Sequence, residues 1–578
     1  MGQVIEYHSE NLKDSSAEQT AGLPSPDVSN PADSQTSGFN SKILQSSIAA
    51  ALSSLNFGWC LGEPNIPEDI IKKCIEGPVQ YIKGLPTCLP MSNTMWGLIV
   101  GLVALGALTG SLVAGRAADR FGRKTVLLVN NVFFVIGALL LGTSTTIAQM
   151  AVGRYIAGIG CGVASTVVAT YNSECAPVKV RGFLGTMLQL TVEIGIFFSQ
   201  LFATILVDVP NWRILFGLSG AISLIQLIWL PFMPESPKYL VMKGRIEEGA
   251  KALQFLRPNC NIAKEFDNLL ESCSAANDSR HCNHAVSSTT DSELFADSNS
   301  ESNVSIADKH KKLKAVSIHS VSVSNRPTSI GLLNIVKGET PDVIWHMLFC
   351  TMFLMGFQQW TGAKGIVFYS TEILVKVFNL SEAQLRKTPN EAQWMTIGLA
   401  AAGIAAVFAS MNLIDRLGRR RLLLISTSGV SLSCVLVVIG RTCNIAPLAV
   451  AAMFLFKLAY GLGMAPIPWL AASEMLPYYA LGTLSGIASA LNWMMIFIIG
   501  LVFPLLAKAL DNYLFLPFAA LNFSAFLVVF LFVPETKGRH ISEILHLHGK
   551  RLHVVCSLSR LQRNKRQDHG FQDTDESL

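Results

Sequence analysis

Gly115-Arg116-Ala117-Ala118-Asp119-Arg120-Phe121-Gly122-Arg123-Lys124 joins two apolar runs, Met95 to Ala114 and Thr125 to Gly142, each long enough to cross a bilayer as a helix. The decamer is therefore a very short loop between two membrane helices. Four of its ten residues are Arg or Lys, an excess that places a short loop on the cytoplasmic side and so orients everything else. Its two glycines permit a tight turn against a neighbouring helix, and its one acid, Asp119, suits an arginine or a helix N-terminus.

A weaker copy, Asp415-Arg416-Leu417-Gly418-Arg419-Arg420-Arg421, lies between the runs Trp394 to Ile414 and Leu422 to Gly440, with Asp415 296 residues after Asp119. Glu474 follows Glu174, and Pro534-Glu535 follows Pro234-Glu235, both at a spacing of 300. Such repetition makes the chain a duplicated membrane bundle. Composition agrees, since half of the 578 residues are hydrophobic, 15% are charged and the mean hydropathy is +0.41, values foreign to an ordinary soluble protein. The net charge of +5 belongs mostly to the loops and gives no ground for nucleic acid as a partner. Twelve cysteines occur without a Cys-x-x-Cys spacing, so no metal or other cofactor is expected. Cys74 and Cys88 share one exoplasmic loop, where an oxidising compartment permits a disulfide.

The pattern G-R-x-x-D-R-x-G-R-K, the run Pro234-Glu235-Ser236-Pro237-Lys238-Tyr239-Leu240, the run Gln358-Gln359-Trp360-Thr361-Gly362, and Pro534-Glu535-Thr536-Lys537-Gly538 occur in that order. Together they resemble the sugar porters of the major facilitator superfamily, over about Leu55 to Arg539, and more narrowly the facilitative hexose transporters. The resemblance implies an all-α membrane protein of twelve transmembrane helices in two six-helix pseudo-repeat bundles, with a cytoplasmic helical segment, that transports a solute and is not an enzyme.

Residues 1–40 are polar and read as a disordered cytoplasmic tail. The amino-terminal bundle covers 41–233, with helices near Ile43 to Gly62, Met95 to Ala114, Thr125 to Gly142, Gly153 to Ser173, Gly182 to Leu206 and Ile214 to Met233. Residues 234–274 carry helical spacing and charge and read as surface helices under the bundle. Residues 275–340 are rich in Ser, Asn and Asp and read as a mostly disordered linker, open to a kinase. The carboxyl-terminal bundle covers 341–533, with helices near Ile344 to Leu374, Trp394 to Ile414, Leu422 to Gly440, Ala446 to Ser473, Gly482 to Leu510 and Tyr513 to Val533, and 534–578 form a cytoplasmic tail. Both termini and the linker fall on the cytoplasmic side, and Asn379-Leu380-Ser381 is a glycosylation sequon on the other. A plasma-membrane, multi-pass protein in contact with lipid is expected.

A sugar ring presents hydroxyls between apolar faces, so its site needs amides and aromatic rings. Gln189, Gln358, Gln359, Asn492, Trp493 and Trp469 lie within the predicted helices, and residue by residue they match positions that contact sugar in the family. Three departures stand out. The motif Q-Q-x-[ST]-G-x-N ends here in Lys364, which is kept as a solute ligand, and the eighth-helix Asn of the family falls at Gly403. Glu193 replaces a residue usually apolar in facilitative members. Two lone intramembrane charges cost roughly 2.5 to 3.5 kcal/mol each on an insertion scale, so Glu193 and Lys364 are expected either to pair across the halves or to stand apart, Lys364 facing solvent in the cavity and Glu193 bonding a neighbouring helix.

Asp119, Arg123, Arg154, Glu174, Arg181 and Glu235 in the first half, with Asp415, Arg419, Glu474 and Glu535 in the second, look like the family's cytoplasmic conformational latch. Leu481 stands where the repeat of Arg181 belongs, which predicts a weaker latch in the second half. Cys60 occupies the first-helix position where proton-linked members carry Asp, and a thiol in apolar surroundings is a poor proton carrier. The expected function is facilitated diffusion of a hexose or related sugar by alternating access. Glu63 and Glu193 keep a proton-coupled carrier of a polar solute as the alternative, and a non-transporting sugar sensor is the alternative of another class.

Overall fold

A computed structural model describes residues 40–74, 79–82, 84–177, 180–206, 211–258, 260–271, 273, 342–378, 391–476 and 481–537. The amino-terminal tail, the serine-rich linker, the Asn379 sequon and the carboxyl tail beyond Lys537 lie outside the described residues. The chain forms twelve membrane-spanning segments in two bundles of six. In the first half these are α1 (Ser41–Gly62), α3 (Asn93–Phe121), α4 (Arg123–Gly142), α5 (Ile147–Cys175), a fifth span of α6 (Arg181–Gly185) and α7 (Met187–Ile205), and α8 (Trp212–Trp229). Between the first two spans lie α2 (Glu68–Lys73) and an antiparallel strand pair, β1 (Tyr81–Ile82) and β2 (Leu85–Pro86). Two surface helices, α9 (Pro237–Met242) and α10 (Ile246–Leu256), follow. Leu253 and Leu256 of α10 face inward, and Arg257 ties it to the bundle by donating to the Cys175 carbonyl at 3.2 Å.

The second half comprises a seventh span of α11 (Asp342–Trp360) and α12 (Ala363–Val377), then α13 (Glu391–Leu417), α14 (Arg419–Thr442), a tenth span of α15 (Ala446–Leu462) and α16 (Ile467–Met475), α17 (Leu481–Leu510) and α18 (Leu516–Phe532). Among the described residues nine helices are long and apolar enough to cross a membrane on composition alone. The other three spans fall short for identifiable reasons. The inner face of α1 carries Ser46, Ser47, Ser53, Ser54 and Asn56, the seventh span is broken, and α18 has 17 residues.

Both breaks follow from local chemistry. Gly362 adopts φ +90°, a conformation open to glycine, and ends α11. Around Pro466 and Pro468 the tenth span loses donors and divides. The second break matches the bend expected of those prolines. The seventh helix, expected to be continuous, is in fact two pieces.

The halves meet along α3 with α17 and along α7 with α13, two contacts related by the internal repeat. Inside the first half, α3 and α5 approach until backbones touch. A Cβ built on Gly106 or Gly110 would lie 2.0 or 2.3 Å from the carbonyl oxygens of Tyr155 and Ile159, and one on Gly158 or Gly162 would lie 2.3 or 2.0 Å from those of Val103 and Ala107. Lipid is as apolar as leucine, so helices here associate through such close packing. Cys74 and Cys88 form the disulfide that their shared loop permits, with a Cα–Cα distance of 5.5 Å.

Gly158→Val or Gly162→Val should force α3 from α5 and lower stability by about 1 to 3 kcal/mol, read as a lower thermal midpoint in detergent. Gly217→Ala, whose Cβ meets nothing within 4 Å, should leave the midpoint unchanged or slightly higher.

Candidate functional site

The break in the tenth span creates the site's main anchor. Gln358, on the last turn of α11, donates from Nε2 to the carbonyls of Met464 and Ala465 at 2.8 Å each, oxygens freed by the division of α15 from α16. Its Oε1 accepts from Asn492 Nδ2 of α17 at 2.7 Å and from Gln359 Nε2 at 3.1 Å. Gln359 Nε2 also donates to Asn492 Oδ1 at 3.1 Å, while Gln359 Oε1 is buried and has no partner among the described residues. The three amides thus form one cluster at the centre of the second half. Trp469 of α16 is likewise buried.

The first half enters through α5, α1 and α7. Trp493 Nε1 donates to Ser165 Oγ of α5 at 3.1 Å, Ser165 lies 3.1 Å from Ser489 Oγ, and the ring of Phe57 sits 4.8 Å from that of Trp493. Gln189 is buried on α7 and donates to Glu193 Oε1 at 3.3 Å. None of the six amide and indole residues expected at the site faces lipid. Phe57, Ser165 and Ser489 were not foreseen, because a serine or phenylalanine in a membrane helix carries no distinguishing signal.

Glu193 does bridge the halves, but its partner is Lys457 of α15, with Lys457 Nζ 2.9 Å from Glu193 Oε2. The expected Glu193–Lys364 pair is replaced because Lys457 enters from the facing tenth span. Lys364, on the first turn of α12, is buried and makes no ion pair among the described residues. Gly403 makes room for the bridge, since a Cβ there would lie 2.6 Å from both Glu193 Oε2 and Lys457 Cε. Lys457 had a readable signal, a lone charge in the run Ala446 to Leu462.

On the face carrying the basic loops, each half builds the same clasp. In the first, Arg123 pairs with Glu174 at 3.0 Å and Asp119 at 3.1 Å, while Glu235 Oε1 accepts from the main-chain nitrogens of Arg123 and Lys124 at 3.0 and 3.1 Å. In the second, Arg419 pairs with Glu474 at 2.8 Å and Asp415 at 3.2 Å, and Glu535 accepts from the nitrogens of Arg419 and Arg420 at 2.9 and 3.2 Å. A carboxylate thus caps the unsatisfied start of α4 and of α14. Gly122 and Gly418, at φ +99° and +89°, precede those helices, and a Cβ on either would strike the capping carboxylate. Gly182 of α6 packs on the Asp415 carboxylate, which brings the halves together at this face. The side chains of Arg181 and Leu481 lie outside the described residues.

Arg154 is not part of either clasp. It lies 20 residues before Glu174 on α5, about 30 Å along the axis at 1.5 Å per residue, and so belongs to the opposite face. There its Nη1 donates to the Cys60 carbonyl at 2.8 Å and to Glu63 Oε1 at 2.6 Å, in a fully buried pair.

At that opposite face Asn65 Nδ2 donates to the Val367 carbonyl and to Ser370 Oγ, both at 2.9 Å, so α1 and α12 join the halves. Beside them Glu68 of α2 pairs with Lys72. Burial is the main cause that pushes the Glu68 carboxyl up to about 7; Lys72 opposes it, and Glu372 and Asp69 add to it.

A family model described as sugar (and other) transporter matches residues 46–307 and 297–547. This chain belongs to that family. The transporter is 28% identical over 524 residues to solute carrier family 2, facilitated glucose transporter member 5 of Homo sapiens, covering 88% of this chain and 92% of the relative. It is 30% identical to member 2 of Gallus gallus, over 82% of this chain and 80% of that protein, and 27% identical to a probable metabolite transport protein of Saccharomyces cerevisiae, over 86% and 93%. In fold it is similar to the proton:xylose symporter XylE bound to 6-bromo-6-deoxy-D-glucose, with a TM-score of 0.66 at 19% identity over 88% of this chain and 99% of that one. The inward open XylE from E. coli superposes with a TM-score of 0.57 at 18% identity, over 87% and 99%.

Glu193→Gln should strand Lys457 beside Lys364 and destabilise the transporter by about 3 to 5 kcal/mol. The exchange Glu193→Lys with Lys457→Glu should restore most of the thermal midpoint, whereas Glu193→Lys with Lys364→Glu should not. The contact at Asn65 should weaken with pH, because Glu68 holds its proton more tightly when buried than when hydrated near the ordinary 4.5. Support is full below about 4.5 and is lost as pH rises to about 7. Maleimide labelling of Val367→Cys, normalised to the exposed Cys443, should rise across that window and be flat in Glu68→Gln.

Proposed function

We propose that the transporter carries a hexose or a closely related sugar down its gradient by alternating access. The observation that carries this reading is the buried cluster of Gln358, Gln359 and Asn492, with Gln359 Oε1 left as an unused acceptor. Paired amides offer donor and acceptor together, as vicinal hydroxyls require. Trp493, Trp469 and Phe57 supply the apolar surface, and Gln189 the contribution of the other half. The solute exchanges its own hydroxyls for the bonds the amides make to one another. The two clasps, with Arg181, then hold the basic face closed until the halves rock. In this reading the basic face, both termini and the linker are cytoplasmic, Asn379 is glycosylated on the other side, the linker serines are kinase substrates, and the protein resides in the plasma membrane.

Proton coupling is a second reading, favoured by Glu63, a fully buried carboxylate whose Oε2 has no partner among the described residues. Uptake of radiolabelled hexoses into proteoliposomes separates these readings. Tracer movement without any gradient establishes a carrier and excludes a sensor, and equal initial rates with and without an imposed pH gradient establish facilitated diffusion. A rate raised by the gradient in the wild type but not in Glu63→Gln would establish coupling instead. Gln358→Leu should cut uptake about tenfold or more, since it leaves the carbonyls of Met464 and Ala465 without their donor at roughly 1 to 3 kcal/mol each.

A further inference from the structure

We propose that the sugar carried by this transporter bears a carboxylate, and that Lys364 is the residue that receives it. The inference rests on the sugar-carrier reading and narrows its substrate class to sugar acids. Three buried charged side chains belong to the spans around the amide cluster, Glu193 of α7 and Lys457 of α15, which pair at 2.9 Å, and Lys364 of α12. Glu193 is fully engaged, one oxygen with Lys457 at 2.9 Å and the other with Gln189 at 3.3 Å. Lys364, by contrast, is buried and has no hydrogen-bond acceptor or ion pair among the described residues, so its positive charge is uncompensated there.

Position turns this surplus into recognition. Lys364 follows Gln358 and Gln359 on the same broken span, across the two-residue gap of Thr361 and Gly362, so its ammonium and the amide cluster belong to one stretch of backbone. Gly403 keeps the space around the Glu193–Lys457 bridge free of a side chain. An intramembrane ammonium without a partner is costly, and an anionic group on the solute removes that cost when it binds. Charge-assisted bonds from an ammonium to a carboxylate are about twice as strong as neutral ones. A neutral hexose would engage the amides and leave Lys364 unpaired. A sugar acid satisfies both.

The test measures initial uptake of radiolabelled glucose and glucuronate by proteoliposomes of the full chain carrying the wild type, Lys364→Asn or Lys364→Arg. The expected result is a KM for glucuronate about tenfold or more below that for glucose in the wild type. Lys364→Asn should lose that preference, read as the ratio of the two KM values, and Lys364→Arg should keep it. Glucose uptake with no glucuronate uptake, or an equal loss of both in Lys364→Asn, overturns the proposal and leaves the sugar-carrier reading standing. Glucose uptake that depends on chloride, lost when methanesulfonate replaces it, assigns Lys364 to an inorganic anion and also overturns it. No uptake of either sugar overturns both.

Discussion

A charge taken out of water must be given a partner, and this constraint organises the interior of the protein. Desolvating an ion costs more than most single interactions return, so a buried charge needs an opposite one or several hydrogen bonds. Arg123 with Glu174, Arg419 with Glu474, Arg154 with Glu63, Lys457 with Glu193 and Lys72 with Glu68 meet the need by pairing, and Arg213 meets it by donating to the carbonyls of Gly142, Ser144 and Pro86. The first two lie at the basic face, the third toward the opposite face and the fourth between the halves. Lys364 stands outside this pairing, which is why it attracts a functional explanation where the others have structural ones.

The duplication solves the same local problem twice. A positive-φ glycine ends one helix and starts the next, an arginine reaches back to two acids, and a distant glutamate caps the new helix. The halves diverge in what they do with their centres. The first half uses Gly106, Gly110, Gly158 and Gly162 to bring backbones into contact. The second half breaks two spans, and the carbonyls freed by one break hold Gln358. Backbone-to-backbone packing marks one bundle and the amide cluster the other, with Phe57 and Ser165 of the first touching Trp493 of the second.

This asymmetry bears on transport. In the structure the halves touch at both faces, through Gly182 with Asp415 on one and Asn65 with Val367 and Ser370 on the other. The amides at the centre are fully engaged with each other except for Gln359 Oε1. Main-chain carbonyls hold the Gln358 amide in one orientation, so the cluster is preorganised.

Twelve apolar segments, the internal repeat and the placing of the amide and indole residues inside the bundles rather than against lipid were readable in the linear order of side chains. Each depends on local composition or on spacing along one chain, and hydropathy over about 20 residues is a strong local signal. The partners of the charged residues were not readable. Arg154 looked like a member of the basic clasp because of its motif neighbours, yet its place along α5 puts it at the opposite face with Glu63. Glu193 was expected to meet Lys364, but the facing tenth span delivers Lys457 first. Sequence specifies which residues share a helix and how far apart they stand along it. Which helix faces which, and by what rotation, is decided only when the bundles pack, because an ammonium displaced by one helical position points 100° away from its intended partner.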